Sequence, residues 1–301
     1  MQAQLINTFS AHPSAIKTIV TLADKPLIAT GGEDAIIKIW TNENDESLHE
    51  LAGHDAPITS LAGFPSIDFL VSGSEDCKIF LWNGATGEPI RDLVGHTGAV
   101  TALASTPNGK IIVSGSLDNT VRIWDSVSGQ LLHVCEGHNA GVHAVSISPD
   151  GQYVVAGEAG NNDATYNLKV WDLKTGQHIR DFAQIHHGVE NIKFSESGLV
   201  LMTSSTEGDI TLWDWETGEI IRTIETNLGS AITAFTPNRR FAIIGTQRPV
   251  LTIWSIETGR RIHQLDEPSD WVSAVATTQS GHYIIAGCHD GMLNIYRLQH
   301  Q

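Results

Sequence analysis

The sequence predicts an all-β chain in which seven four-stranded sheets stand radially as one propeller domain over residues 1–301. Three observations carry that expectation. First, a strand-like segment ends in an aromatic at Trp40, Trp82, Trp124, Trp171, Trp213, Trp254 and Tyr296, with successive separations of 42, 42, 47, 42, 41 and 42. Second, the segments entering these aromatics alternate apolar and polar residues, as in Ile37-Lys38-Ile39-Trp40 and Val121-Arg122-Ile123-Trp124. That alternation is what a strand with one buried face requires. Third, each unit holds four such segments, and four strands in about 42 residues is the arithmetic of a propeller blade.

The elements of a unit follow in a fixed order. An outermost strand such as Ile90-Arg91-Asp92-Leu93-Val94 precedes a Gly-His pair, and an innermost strand such as Ala99-Val100-Thr101-Ala102-Leu103 follows it. Turns of the type Thr106-Pro107-Asn108-Gly109 and Ser148-Pro149-Asp150-Gly151 come next; their Pro and Gly fix tight reversals. A further strand, Lys110-Ile111-Ile112-Val113-Ser114, leads on to the strand that ends at the Trp. The last unit offers only three strands, while Leu5-Ile6-Asn7-Thr8-Phe9 reads as an outermost one. The N-terminal strand is therefore expected to complete blade seven and remove the open edge. Five residues follow Tyr296, so the expectation is that function resides on the propeller surface.

Taken together, these motifs resemble the WD-repeat (WD40) family over the whole chain. The glycine-histidine signature stands at Gly53-His54, Gly95-His96 and Gly137-His138, with Ala11-His12 as a variant. The Trp-Asp pair stands at Trp124-Asp125, Trp171-Asp172 and Trp213-Asp214. The resemblance implies a seven-bladed propeller closed by its N-terminal strand, stapled in each blade by a relay of His, strand hydroxyl, turn Asp and Trp indole. Three full sets occur: His12, Thr30, Asp34, Trp40; His54, Ser72, Asp76, Trp82; and His96, Ser114, Asp118, Trp124, each with 28 residues from His to Trp. A His, a hydroxyl and an Asp also suggest an activated nucleophile, but a triad is recognised by roles. One set per blade is the mark of architecture.

Later units depart from the pattern. The fourth has Ala156 at the hydroxyl position; the fifth offers Thr203, Glu207 and Trp213 with His186 or His187 out of phase. The sixth has Ile244 and Arg248, and the seventh keeps Asp290 beside Ala286 and Tyr296.

Composition narrows the partners. With 34 acidic and 18 basic side chains the formal charge is −16, which repels phosphate backbones and anionic lipid. Nucleic acid is not an expected partner. No apolar run approaches the 18 residues of a membrane span, and Met1-Gln2-Ala3-Gln4 lacks the features of a signal peptide. Cys77, Cys135 and Cys288 form no CxxC pair, which favours reduced core thiols and a cytoplasmic setting. The 14 His show no HxH or HExxH spacing, so no metal is expected. Glycine pairs such as Gly31-Gly32 precede no helix, so no phosphate-cradling loop or other cofactor site is expected.

The expected function is a non-catalytic scaffold or adaptor that binds other proteins, as a subunit or assembly partner of a larger complex. Its candidate surface is the face carrying the Gly-His loops and Asp turns. There Glu33, Glu75, Leu117 and His289 precede the turn acids, and Asp270-Trp271 enters the last inner strand. Tyr166 lies in a blade-four insertion of about five residues, whose bland reading is a tolerated loop elongation. Scattered carboxylates beside one Trp suit a partner segment with Lys or Arg and an apolar anchor. The alternative is a ligand- or substrate-binding propeller acting through its central channel, for which the repeat shows no convergent ionisable groups.

Overall fold

A computed structural model describes residues 2–22, 27–41, 45–64, 69–158, 168–182, 187–195, 197–229 and 231–299. Tyr166 and His186 lie outside the described residues.

Within them the chain forms 28 strands in seven four-stranded antiparallel sheets. Blade one runs outward through Ile16–Leu22, Leu27–Gly32, Ile36–Thr41 and His49–Ala52. Blades two to six repeat that order, with innermost strands Ile58–Gly63, Val100–Ser105, Val142–Ile147, Val189–Phe194 and Ala231–Phe235. Blade seven takes Val272–Thr277, Tyr283–Cys288 and Met292–Gln299 from the end of the chain, and its outermost strand is Gln2–Ser10. Phe9 pairs with Leu293 and Leu5 with Tyr296. The ring is closed by the N-terminal strand. No described helix is long and apolar enough to cross a membrane.

Adjacent blades meet through a repeated close approach. Gly31, Gly73, Gly115, Gly157, Gly245 and Gly287 each lie against the first apolar residue of the next blade's inner strand: Ile58, Val100, Val142, Val189, Val272 and Ile16. A Cβ at Gly73 would stand 2.5 Å from Val100 Cγ1, so only glycine lets the sheets pack at this distance.

The blade-ending aromatics are the largest core elements. Trp82, Trp124, Trp171, Trp213 and Tyr296 are almost wholly buried. One such side chain removes roughly 150–250 Å² from water, at most about 4–6 kcal/mol at 25 cal per Å². A hydrogen bond contributes a net of about 1 kcal/mol. Burial therefore supplies the free energy, and the polar relays fix which way the aromatics point.

Candidate functional site

Each Gly-His loop sits at the end of its blade beside the turn between the second and third strands, so histidine and turn acid can meet. In blade one His12 Nδ1 lies 2.9 Å from Asp34, and His12 Nε2 lies 2.8 Å from Thr30 Oγ1, which also accepts from Trp40 Nε1 at 2.8 Å. Blade two brings His54 within 2.8 Å of Asp76 and 2.7 Å of Ser72, with Trp82 donating to Ser72 at 2.8 Å. Blade three brings His96 within 2.7 Å of both Asp118 and Ser114, with Trp124 donating to Ser114 at 2.9 Å. The donors run one way: indole to hydroxyl, hydroxyl to Nε2, Nδ1 to carboxylate. That chain needs a neutral imidazole protonated at Nδ1.

Electrostatics agree with the geometry. Burial lowers the pKa of His12, His54 and His96 below the ordinary 6.5. Burial alone would raise Asp118, but hydrogen bonds from Thr120, His96 and the Thr97 amide outweigh it and bring it to about 2. Within each relay the histidine and the hydroxyl are bonded to other members. Both ring nitrogens of His12, His54 and His96 are engaged in this way, so none of the three imidazoles has an unshared lone pair with which to act as a general base.

The other blades differ in ways the sequence reading partly missed. In blade four His138 Nδ1 donates to Glu158 Oε1 at 3.0 Å, and the Asn139 amide donates to the same oxygen at 2.9 Å. Glu158 stands 20 residues after the histidine instead of 22, and its longer side chain spans the difference. The signal available was a carboxylate ending the strand Tyr153–Glu158. Trp213 donates to Thr203 at 3.0 Å in blade five, while the Glu207 amide bonds Ser205. His187 is exposed in a bend before Val189–Phe194 and not on a strand. Trp254 in blade six donates to Thr252 on its own strand at 3.0 Å. Asp290 in blade seven accepts from Ser269 Oγ at 2.6 Å.

A second recurring contact was not read from the sequence. Outer-strand side chains reach carbonyls in the next blade's turn: His49 to Ala85 at 3.0 Å, His133 to Lys174 at 2.9 Å, and Arg222 to Glu257 at 2.6 Å and Thr258 at 2.9 Å. Arg180 likewise bonds the carbonyls of Trp215 and Glu216 while lying over the Trp215 ring, 4.8 Å from its centroid.

The candidate rim residues are not all alike. Trp271 is 46% exposed and Leu117 is 49% exposed. The Trp271 and His289 rings meet at a tilt of 53° with centroids 5.6 Å apart, and His289 Nδ1 lies 4.0 Å from Asp270. Those three make one cluster. Leu117 lies over Gly141 on another part of the ring. Glu75 is exposed, and Glu33 is paired with Lys17 at 2.8 Å.

Two sequence readings need correction. The three cysteines were all taken as core residues; Cys135 and Cys288 are buried, but Cys77 is half-buried in a turn at φ +68°. Burial pushes the Cys135 thiol up to about 12 and Cys288 to about 11. The repeat was read as showing no convergent ionisable groups for a central channel, yet Lys17, His143, Glu190, Lys193 and Arg239 line that channel of about 700 Å³. Each inner strand of blades one to five and seven carries a register shift near its start, so strict alternation does not tell which of its side chains face the channel. Among the described residues no three His, Cys, Asp or Glu could hold a metal ion.

A ring of such blades defines a repeat-built propeller. The family described as "WD domain, G-beta repeat" matches residues 3–41, 45–83, 87–125, 129–172 and 259–297, and the chain belongs to it. The unmatched residues 173–258 include Trp213 and Trp254, whose indoles are held by a hydroxyl alone. Similar proteins include WD repeat-containing protein SL1-17 of Schistosoma mansoni, 24% identical over 44% of this chain and 45% of that one. COMPASS component SWD3 of Saccharomyces cerevisiae is 25% identical over 36% and 38%, and pre-rRNA-processing protein crb3/ipi3 of Schizosaccharomyces pombe is 29% identical over 42% and 32%. The alignments span less than half the length of these relatives.

Proposed function

We propose that this propeller is a non-catalytic platform for assembling other proteins, acting as a subunit or adaptor through the Gly-His face. The observation that carries this reading is a division of labour. The acid, imidazole and hydroxyl groups of blades one to three are consumed in internal bonds, while Trp271 stands half-exposed beside His289 and Asp270. An exposed aromatic ringed by polar groups is the composition of an interface anchor. Glu75 and Asp270 suit a partner segment that carries Lys or Arg beside an apolar residue. Relatives named as a COMPASS component and a pre-rRNA-processing protein support a role within complexes. The −16 charge favours a protein partner over nucleic acid, and a cytoplasmic location fits the reduced thiols.

Affinity capture of the intact protein from its native lysate tests this. A reproducible stoichiometric protein partner is the expected result. Absence of one, with thermal stabilisation by a small molecule instead, would favour a ligand-binding propeller.

A further inference from the structure

The outer wall of the ring has one position that breaks its own pattern. Register places Glu50, Asp92, Asp181, Thr223, Gln264 and Thr8 level on the outermost strands of blades one, two, four, five, six and seven. Blade three has Val134 there, opposite Arg122. In blades one and four the acid pairs with the lysine across from it, Glu50 with Lys38 at 2.9 Å and Asp181 with Lys169 at 3.0 Å. Val134 offers Arg122 no such partner. The Arg122 Nε donates to Thr120 at 3.4 Å, and its Nη2 lies 3.9 Å from Asp118. Val134 is left 41% exposed.

The whole strand is unguarded. Leu131–Cys135 reads Leu-Leu-His-Val-Cys and stands last in its sheet. Among the described residues no further strand bonds its free edge. Leu131 and Leu132 are exposed as well, and so is Val127 in the turn before them. The one polar side chain, His133, donates to the Lys174 carbonyl of the next blade. Proteins guard strand edges with charges, proline or a bulge. The outer strands of blades one, two, four, five and six each carry a charged residue, and that of blade three carries none. The bulge at its start is shared with blades two and four to six, so it does not replace the missing charge.

We propose that this edge takes up an extended apolar segment of another protein as a fifth strand of blade three. The free N–H and C=O groups call for an extended backbone, and Leu131, Leu132 and Val134 call for apolar side chains upon it. Asp92 on blade two's outer strand and Glu136 just past the edge are exposed acids, so the segment carries Lys or Arg at its ends. A second copy of this chain fits less well, because each copy brings a charge of −16. Edge against edge, the strands would also meet along a strip roughly 17 Å long and 10 Å high, far short of the roughly 800 Å² per partner in a stable interface. The surface lies on the wall of the ring and does not depend on the Gly-His face.

Fluorescence anisotropy with the full chain tests the proposal. The probe is a labelled, capped peptide in which valine and threonine alternate between terminal lysines. Saturable binding is expected, with slower amide exchange in Leu131–Cys135 when the peptide is bound. Val134→Lys should weaken binding roughly tenfold or more, since an edge lysine blocks strand addition, at unchanged melting temperature. Ile262→Lys makes the same charge change on blade six's outer strand and should leave binding unchanged. A peptide N-methylated at alternate amides keeps its side chains but cannot form the ladder, and should not bind. Absence of saturable binding, equal binding of the N-methylated peptide, or equal loss in Ile262→Lys would overturn the assignment. So would a dimer in sedimentation that Val134→Lys dissolves, which would make a second copy the occupant.

Discussion

His138 donates from Nδ1 to Glu158 Oε1 across 3.0 Å, while its buried Nε2 meets no hydrogen-bond partner among the described residues. In the first three blades that nitrogen is answered by Thr30, Ser72 or Ser114. Blade four is a relay with one link missing. Ala156→Ser supplies the missing hydroxyl in a place where its counterparts already fit. It should stabilise the protein by about 0.5–1.5 kcal/mol, measured as a higher urea midpoint at unchanged slope. A lower midpoint would show that the position cannot take the added atom.

Asp118 is the most heavily used turn acid. It accepts from His96, from the Thr97 and Thr120 amides and from the Thr120 hydroxyl. Asp118→Ala strands these donors and should lower stability by roughly 1–3 kcal/mol. Urea denaturation checks the size. A loss below a few tenths would mean the relay contributes nothing.

The same chemistry sets a pH dependence. Burial holds His12, His54 and His96 below 6.5, so the folded state favours their neutral form. Their contribution is complete above pH 6.5 and is lost as the pH falls through the lowered native values. Asp118 adds a second loss between 3.8 and about 2. Glu190, raised by burial, acts in the opposite sense but is a single group. Urea midpoints should therefore fall steadily from pH 7.5 to 5, and a flat profile would contradict the neutral-imidazole relay.

Blades one to three should also be the stiffest. They hold complete relays, whereas blades five and six bind their indoles with a hydroxyl alone. Amide exchange is expected to be slower in Leu27–Gly32, Phe69–Ser74 and Ile111–Ser116 than in Val200–Ser205 and Phe241–Thr246. Uniform protection around the ring would refute this.

Some of this was legible in the sequence for a physical reason. A ring of equivalent sheets must repeat its spacing, so the aromatics near every 42 residues disclosed blade count and closing strand together. The His-to-Trp separation was as clear, because three copies share one geometry. Glu158 was harder to read, since a longer side chain reaches the histidine from two residues nearer. His49, His133, Arg180 and Arg222 leave no sequence signature, because their partners are backbone carbonyls in the next blade. Lys193 escaped because the register shift at the start of its strand hides which side chains face the channel. The rim cluster was half visible: Asp270, Trp271 and His289 were each singled out, but the contact between the Trp271 and His289 rings depends on the fold.

The central claim is that the polar quartets hold the ring while the rim loops recognise partners. Quantitative partner capture, run alongside melting curves, separates the two directly. Trp271→Ala and Glu75→Lys should lose most of the captured partner at nearly unchanged melting temperature. Asp118→Ala should melt lower yet retain the partner when captured well below its transition. Full capture by both rim variants, or loss of partner only in Asp118→Ala, would contradict the account.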